Sequence, residues 1–268
     1  MLYLSDDDWI KISPTVLHYN DKIALGESIY NIMKSICSKL KFSSQVVLSI
    51  AMIYFHKFYF YSNFQIEKGT NRLFLCSAFI FIATKVANRL ISLNEISNII
   101  KDILTKKNLS FSKEDIKQNI IHYEFSIMSI LGFNLEVDLP YSFLVKAKRF
   151  FEENLQLNTK KVIELCCYYI NDSFILPLCL HYIPDVIAIS AVSIMAKQIG
   201  IKLNIEQIIA LSEFEISKDL VNECEMAIMG LYSRKNDENN KRGEINNNNK
   251  ESNSTSINSN IEANQCIV

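Results

Sequence analysis

Glycine and proline are scarce, six and four in 268 residues, and no proline falls between Pro14 and Pro140. A chain built from short strands would need many turn residues over such a span, so a helical fold is expected. An excess of one charge is equally lacking. Lys and Arg number 28 against 29 Asp and Glu, a formal net charge of -1. Proteins that live on phosphate backbones usually carry a marked basic excess, so direct nucleic-acid binding is not expected. The seven cysteines include no C-x-x-C pair. Cys37, Cys76, Cys166, Cys167, Cys179 and Cys224 sit in apolar stretches, as small buried hydrophobes do in a reducing compartment. His18, His56, His122 and His181 lack metal-ligand spacing. There is no Gly-rich phosphate loop, G-x-S-x-G, H-E-x-x-H or Cys/His couple. An enzyme, a cofactor, a metal site and a small-molecule substrate are therefore not expected. The longest apolar run, Leu73 to Ala83 with Ser77 inside it, is too short to span a bilayer. Asp6, Asp7 and Asp8 beside Trp9 do not resemble a signal peptide, so no membrane association is expected.

What the chain does have is apolar residues, 49% of the total, enough for two bodies with separate cores. Periodicity predicts five helices near 21–40, 44–62, 70–87, 93–104 and 113–131. Five more follow near 140–153, 159–175, 184–198, 204–210 and 217–231. Ser92 with Glu95 reads as a capping box and Ser112 with Asp115 as a looser one. Gly132, Gly200 and Gly230 stand where left-handed C-caps would end helices. The third helix, from Arg72 to Val86, is apolar on nearly every side and should form the axis of a first bundle. The second half repeats the plan. Asp185 to Gln198 is again apolar all round and ends in Ala196-Lys197, as the first axis ends in Thr84-Lys85. Glu124-Phe-Ser-Ile-Met is echoed by Glu225-Met-Ala-Ile-Met. The expected fold is all-α, two tandem five-helix units. The expected organisation is an N-terminal extension over 1–20, a first unit over 21–138, a second over 139–232 and a tail over 233–268. That tail holds 11 asparagines and five serines, and its composition predicts disorder.

Several segments resemble the cyclin family. Tyr54-Phe-His-Lys-Phe-Tyr-Phe-Tyr-Ser-Asn-Phe64, followed by an apolar helix closing on Ala83-Thr-Lys-Val86, is similar to the first cyclin box of transcription-associated cyclins. Tyr123-Glu-Phe-Ser-Ile-Met-Ser-Ile-Leu-Gly-Phe133 resembles the fifth helix and close of that box, and Asn134 to Pro140 the connector of cyclins K and T. Tyr169 to Ser173, Gly200 to Leu203 and Leu231 to Lys235 look more like cyclin L. The resemblance covers about residues 9 to 235. It implies a non-enzymatic, nuclear regulatory subunit that forms a heterodimer with a cyclin-dependent protein kinase acting in RNA polymerase II transcription or co-transcriptional processing. Lys85 and Glu124 match the kinase-gripping pair, with Val86, Phe125 and Met128 as apolar contacts beside it. The sequence departs from the family after Lys85, where Ala87 and Asn88 replace the usual acidic pair. No substrate-docking motif is recognisable between Glu27 and Cys37.

Plainer readings stand beside these. Lys85 alone would be a lysine snorkelling from a helix end, and Glu124 an ordinary surface acid. His56 amid aromatics reads as a satisfied core residue. Tyr54, Phe55, Phe58, Tyr59 and Phe60 could stack bases but more commonly fill a core. Lys146, Lys148 and Arg149 read as a solvated face, and Ser13-Pro14 as a minimal proline-directed phosphorylation site or a turn. Two other functions use the same duplicated fold: a DNA-bound factor of the TFIIB-like type, which calls for basic grooves, and a cyclin-fold scaffold that does not activate a kinase.

Overall fold

The computed structural model describes residues 19–40, 45–62, 67–154 and 159–234. The expectations for Ser13-Pro14, His18, nearly all of the N-terminal extension and the tail beyond 234 lie outside these residues. The chain divides into two compact units, Met1–Glu225 and Met226–Val268. In the second, residues 226–234 are helical. The first holds α1 (Tyr19–Cys37), α2 (Gln45–Tyr61), α3 (Gly69–Val86), α4 (Leu93–Thr105) and α5 (Lys113–Ile130), then α6 (Tyr141–Asn154), α7 (Thr159–Ser173), α8 (Leu178–His181), α9 (Pro184–Gln198) and α10 (Ile205–Ile209). Residues 218–225 are helical as well, and no strand occurs among the described residues. The all-α expectation therefore holds.

Apolar pattern explains the layout. In α3 every residue from Leu73 to Thr84 is buried, which is possible only if neighbours cover the helix on all sides. Helices α1, α2, α4 and α5 all pack against it. The second axis is α9, whose Val186 to Val192 and Ile194 to Ala196 are buried against α6 and α7. Most of the aromatic run of α2 fills the first core. Tyr54 and Phe58 are fully buried, and Phe58 meets Phe79 edge to face at 5.5 Å.

Helix ends follow local chemistry. Ser92 and Glu95 form the reciprocal capping box, and Ser112 accepts from the Asp115 amide. Gly132 and Gly200 take positive φ, as does Asn88 at 52°, where the Arg89 amide donates to Thr84 and terminates α3. Gly230 does not end a helix. It lies inside helical residues 226–234, because the apolar spacing Val221, Cys224, Ile228, Leu231 continues through it. The single turn α8, after Pro177, is the element that periodicity missed.

Contacts from α1 and α2 join the two bundles. Ser49 pairs with the Tyr141 hydroxyl at 2.9 Å, and that hydroxyl donates to Asn171. Tyr54 donates to the Leu135 carbonyl at 2.7 Å, and His56 Nε2 bonds the Phe174 carbonyl at 2.9 Å. A carbonyl only accepts, so Nε2 carries the proton and donates. The next residue, Ile175, approaches α1 so closely that a Cβ on Gly26 would lie 2.3 Å from its carbonyl oxygen.

Two predictions follow from this junction. Gly26→Ala should destabilise the protein by about 1–3 kcal/mol despite alanine's better helix propensity, since backbone cannot rotate away from the added methyl. Urea unfolding measures it, and an unchanged or raised midpoint would contradict the close approach. His56, fully buried, has its pKa pushed down to about 4, mainly by desolvation, with His181 adding to the effect. Between that value and the ordinary 6.5 the unfolded chain holds the extra proton, so stability should fall as pH drops through this window. The expected loss is about 2 kcal/mol between about pH 7 and about pH 5. His56→Gln, which keeps a donor for Phe174, should flatten that part of the pH profile.

Candidate functional site

Between Leu73 and Thr84 helix α3 cannot carry a charge without burying it. Lys85, in its last turn, is the first position after that run free of the core, and a cation there also faces the negative end of the helix dipole. Helix α5 packs beside α3 and presents Glu124. Lys85 Nζ reaches Glu124 Oε1 at 2.5 Å, with side chains 45% and 20% exposed. The ammonium also lies 4.1 Å from the centre of the Phe81 ring, one turn earlier. Among the described residues no further hydrogen bond reaches Glu124, so its second carboxylate oxygen remains an available acceptor.

The other expected site residues lie on the same two helices. Val86 and Met128 are half-buried, and Phe125 is 71% exposed. Phe125 and Met128 share a face of α5 with Ile121, which is also exposed. The spacing 121, 125, 128 is the helical i, i+4, i+7 and could have flagged Ile121 from the sequence. Leu90, just past Asn88, is a further exposed apolar residue that the sequence reading did not single out.

The second bundle carries the same motif in closed form. Lys197, in the last turn of α9, is bonded to Glu225, and Ser193 donates to the other carboxylate oxygen at 2.7 Å. Ser193 stands four residues before Lys197, as Phe81 does before Lys85. Glu225 is thus satisfied at both oxygens, with its side chain only 11% exposed. The repeat was readable in the sequence, but the second ion pair was not inferred from it.

The remaining candidates resolve as ordinary structure. Lys146 pairs with Glu213, Lys148 with Glu152 and Arg149 with Glu153. Burial pushes the thiols of Cys76, Cys166, Cys179 and Cys224 up to about 12, so they stay protonated and poorly nucleophilic. No cluster suited to a metal ion occurs among the described residues, and no described helix is long and apolar enough to cross a membrane.

Comparison with known proteins matches this architecture. The family model for the cyclin C-terminal domain matches residues 139–260. Human cyclin-K is 25% identical over 144 residues, 53% of this chain and 24% of its own length. Arabidopsis thaliana cyclin-T1-5 is 24% identical over 199 residues, 71% of this chain and 33% of its own. The chain thus spans about a quarter to a third of the curated relatives it matches. Among solved structures, a chain of the yeast RNA Pol II CTD kinase CTDK-1 complex aligns with TM-score 0.69 at 17% identity, covering 86% of this chain and 72% of that one. A viral cyclin from herpesvirus saimiri aligns with TM-score 0.58 at 12% identity, covering 82% and 89%. The fold is that of the cyclins. Over residues 139–260 the chain matches the cyclin C-terminal domain, and over a longer stretch it is similar to cyclins K and T.

The two ion pairs should differ in what they do for stability. Glu124→Ala removes a half-exposed pair and should change the unfolding free energy by less than about 1 kcal/mol. Glu225→Ala strips the acceptor from Ser193 and Lys197 and should cost on the order of 1–2 kcal/mol. Equal losses in chemical denaturation would mean that neither pair is set apart for an outside partner.

Proposed function

We propose that the chain is the activating subunit of a cyclin-dependent serine/threonine kinase, acting in the nucleus on RNA polymerase II transcription or co-transcriptional RNA processing. The observation that carries this reading is the half-open Lys85–Glu124 pair beside the exposed Phe125. An α-helix end has amide groups without internal partners and a positive dipole end, and a carboxylate with a spare oxygen accepts from both. Lys85 holds Glu124 in place and keeps it from being left unpaired once a partner excludes water. Val86, Phe125 and Met128 supply apolar contact around the polar centre, with Ile121 extending it.

Held inward by such a contact, a kinase's C-helix glutamate pairs with the lysine that positions the ATP phosphates. Activation is then a population shift driven by differential binding, and the cyclin contributes no reacting group. The likeness to chains in the CTDK-1 and yeast TFIIK complexes supports this class of partner. The TFIIB-like alternative calls for basic grooves, whereas the basic group on α6 is matched by acids.

Affinity purification of the full chain should recover a protein kinase that phosphorylates a polymerase-tail peptide. Lys85→Ala combined with Glu124→Ala should reduce both recovery and phosphotransfer by at least about tenfold, with little change in thermal unfolding. A kinase that stays fully active with the double variant would refute the site. A chain that binds duplex DNA at physiological salt and recovers no kinase would refute the function.

A further inference from the structure

The surface around the Lys85–Glu124 pair carries one charge that nothing balances. Between Lys85 and Glu95 the only ionisable residue is Arg89. Glu95, the next acid along, is engaged by the Ser92 amide and hydroxyl at 2.9 and 3.1 Å. On the α5 side Glu124 is the only acid between Asp115 and Glu136, and Lys85 already holds it. The Arg89 side chain is exposed and makes no ion pair or hydrogen bond among the described residues.

Local structure fixes where this charge stands. Asn88 has φ of 52°. The Arg89 amide donates to the Thr84 carbonyl at 2.8 Å, and the Asn88 amide to that of Lys85 at 3.2 Å. These bonds fold the chain back over the last turn of α3, so Arg89 leaves the helix beside Lys85 and not on a free loop. Leu90 follows at 77% exposure, more than any other large apolar residue described. An exposed leucine alone is ordinary. Here it is set by a helix cap next to an unpaired guanidinium, at the edge of a surface already marked for an outside protein.

A partner that covers Arg89 without a carboxylate strips water from a cation and returns nothing. A partner cation there would be repelled. The planar guanidinium matches a carboxylate through two parallel bonds. A phosphate backbone is a poor match, because one unpaired cation does not make a basic track.

We infer that Arg89 and Leu90 choose among kinases: the cognate kinase sets an Asp or Glu against Arg89 and an apolar hollow over Leu90, beside the helix end that meets Glu124. The inference rests on the Lys85–Glu124 reading above and deepens it by giving the partner's rim a sign. Arg89 acts on affinity and takes no part in phosphotransfer.

The test uses the full chain and the kinase that the unaltered chain recovers, with affinity measured by biolayer interferometry. Arg89→Glu should weaken binding at least about tenfold, and Arg89→Gln by an intermediate factor. Raising NaCl from about 0.05 to about 0.5 M should shrink the gap between Arg89 and Arg89→Glu severalfold. Ala87→Glu, which supplies an acid two residues from Arg89, should also weaken binding. Leu90→Ser should weaken it by about threefold or more at either salt concentration. Phosphotransfer should return to the full rate when each variant saturates the kinase, and thermal unfolding should not move. Arg89→Glu binding as tightly as the unaltered chain, or a gap indifferent to salt, would overturn this inference while leaving the Lys85–Glu124 reading intact. An unaltered chain that recovers no kinase would overturn that reading and this inference with it.

Discussion

The architecture depends on one constraint: α2 belongs to two cores at once. Its apolar side chains fill the first bundle, and almost every position from Val47 to Tyr59 is buried. Polar groups on such a helix must find partners or be lost to desolvation. They find them across the junction, Ser49 on Tyr141, Tyr54 on the connector at Leu135, His56 on Phe174. Apolar contact alone would tolerate sliding of one bundle over the other. Directed bonds to backbone carbonyls, and the close seat of Gly26 against Ile175, fix one register.

With the first bundle held, the placement of charge follows. A central helix buried on every face can expose an ion only near its ends, and Lys85 lies in the last turn of α3. The same rule acts on α9 and Lys197, so the duplicated unit generates an acid–base pair twice. One residue separates the two outcomes. Ser193 closes the second pair by donating to Glu225, whereas Phe81 at the corresponding position offers Lys85 a ring face and offers Glu124 nothing. The serine version consumes the carboxylate's hydrogen-bonding capacity within the fold. The phenylalanine version leaves it for something outside.

Much of this was legible in the sequence where the signal is local or repeated. The apolar run from Leu73 to Ala83 marked α3 as an axis, Ser92 and Glu95 announced α4, and the echo of Glu124 in Glu225 exposed the duplication. What was not legible depends on partners distant in the chain or on competition between weak signals. Nothing near His56 announces a bond to a carbonyl 118 residues away. Asn88, a less common left-handed terminator than glycine, was read only as a missing acid, and Gly230 was overruled by the apolar period running through it. Leu90 is an exposed apolar residue beyond the end of α3, and its accessibility depends on how the surrounding helices pack, which local pattern does not specify.

On the proposed function, the charge pattern also constrains how a partner would be chosen at Lys85. The pair is neutral as a unit, and the chain as a whole is nearly so at -1, which leaves little long-range field to guide an approaching protein. The segment after Lys85 adds Arg89 but no acid before Glu95. Discrimination at such a surface has to arise after encounter, from how well a partner's groove fits Phe125, Ile121 and Met128 and from whether a helix end meets the free oxygen of Glu124. Misfit there removes apolar contact and strands a desolvated carboxylate together, so a wrong partner loses on both counts and dissociates quickly. On the proposed reading, a half-open pair beside an exposed aromatic would achieve selectivity through lifetime, and a third bond of the kind Ser193 makes to Glu225 would abolish it.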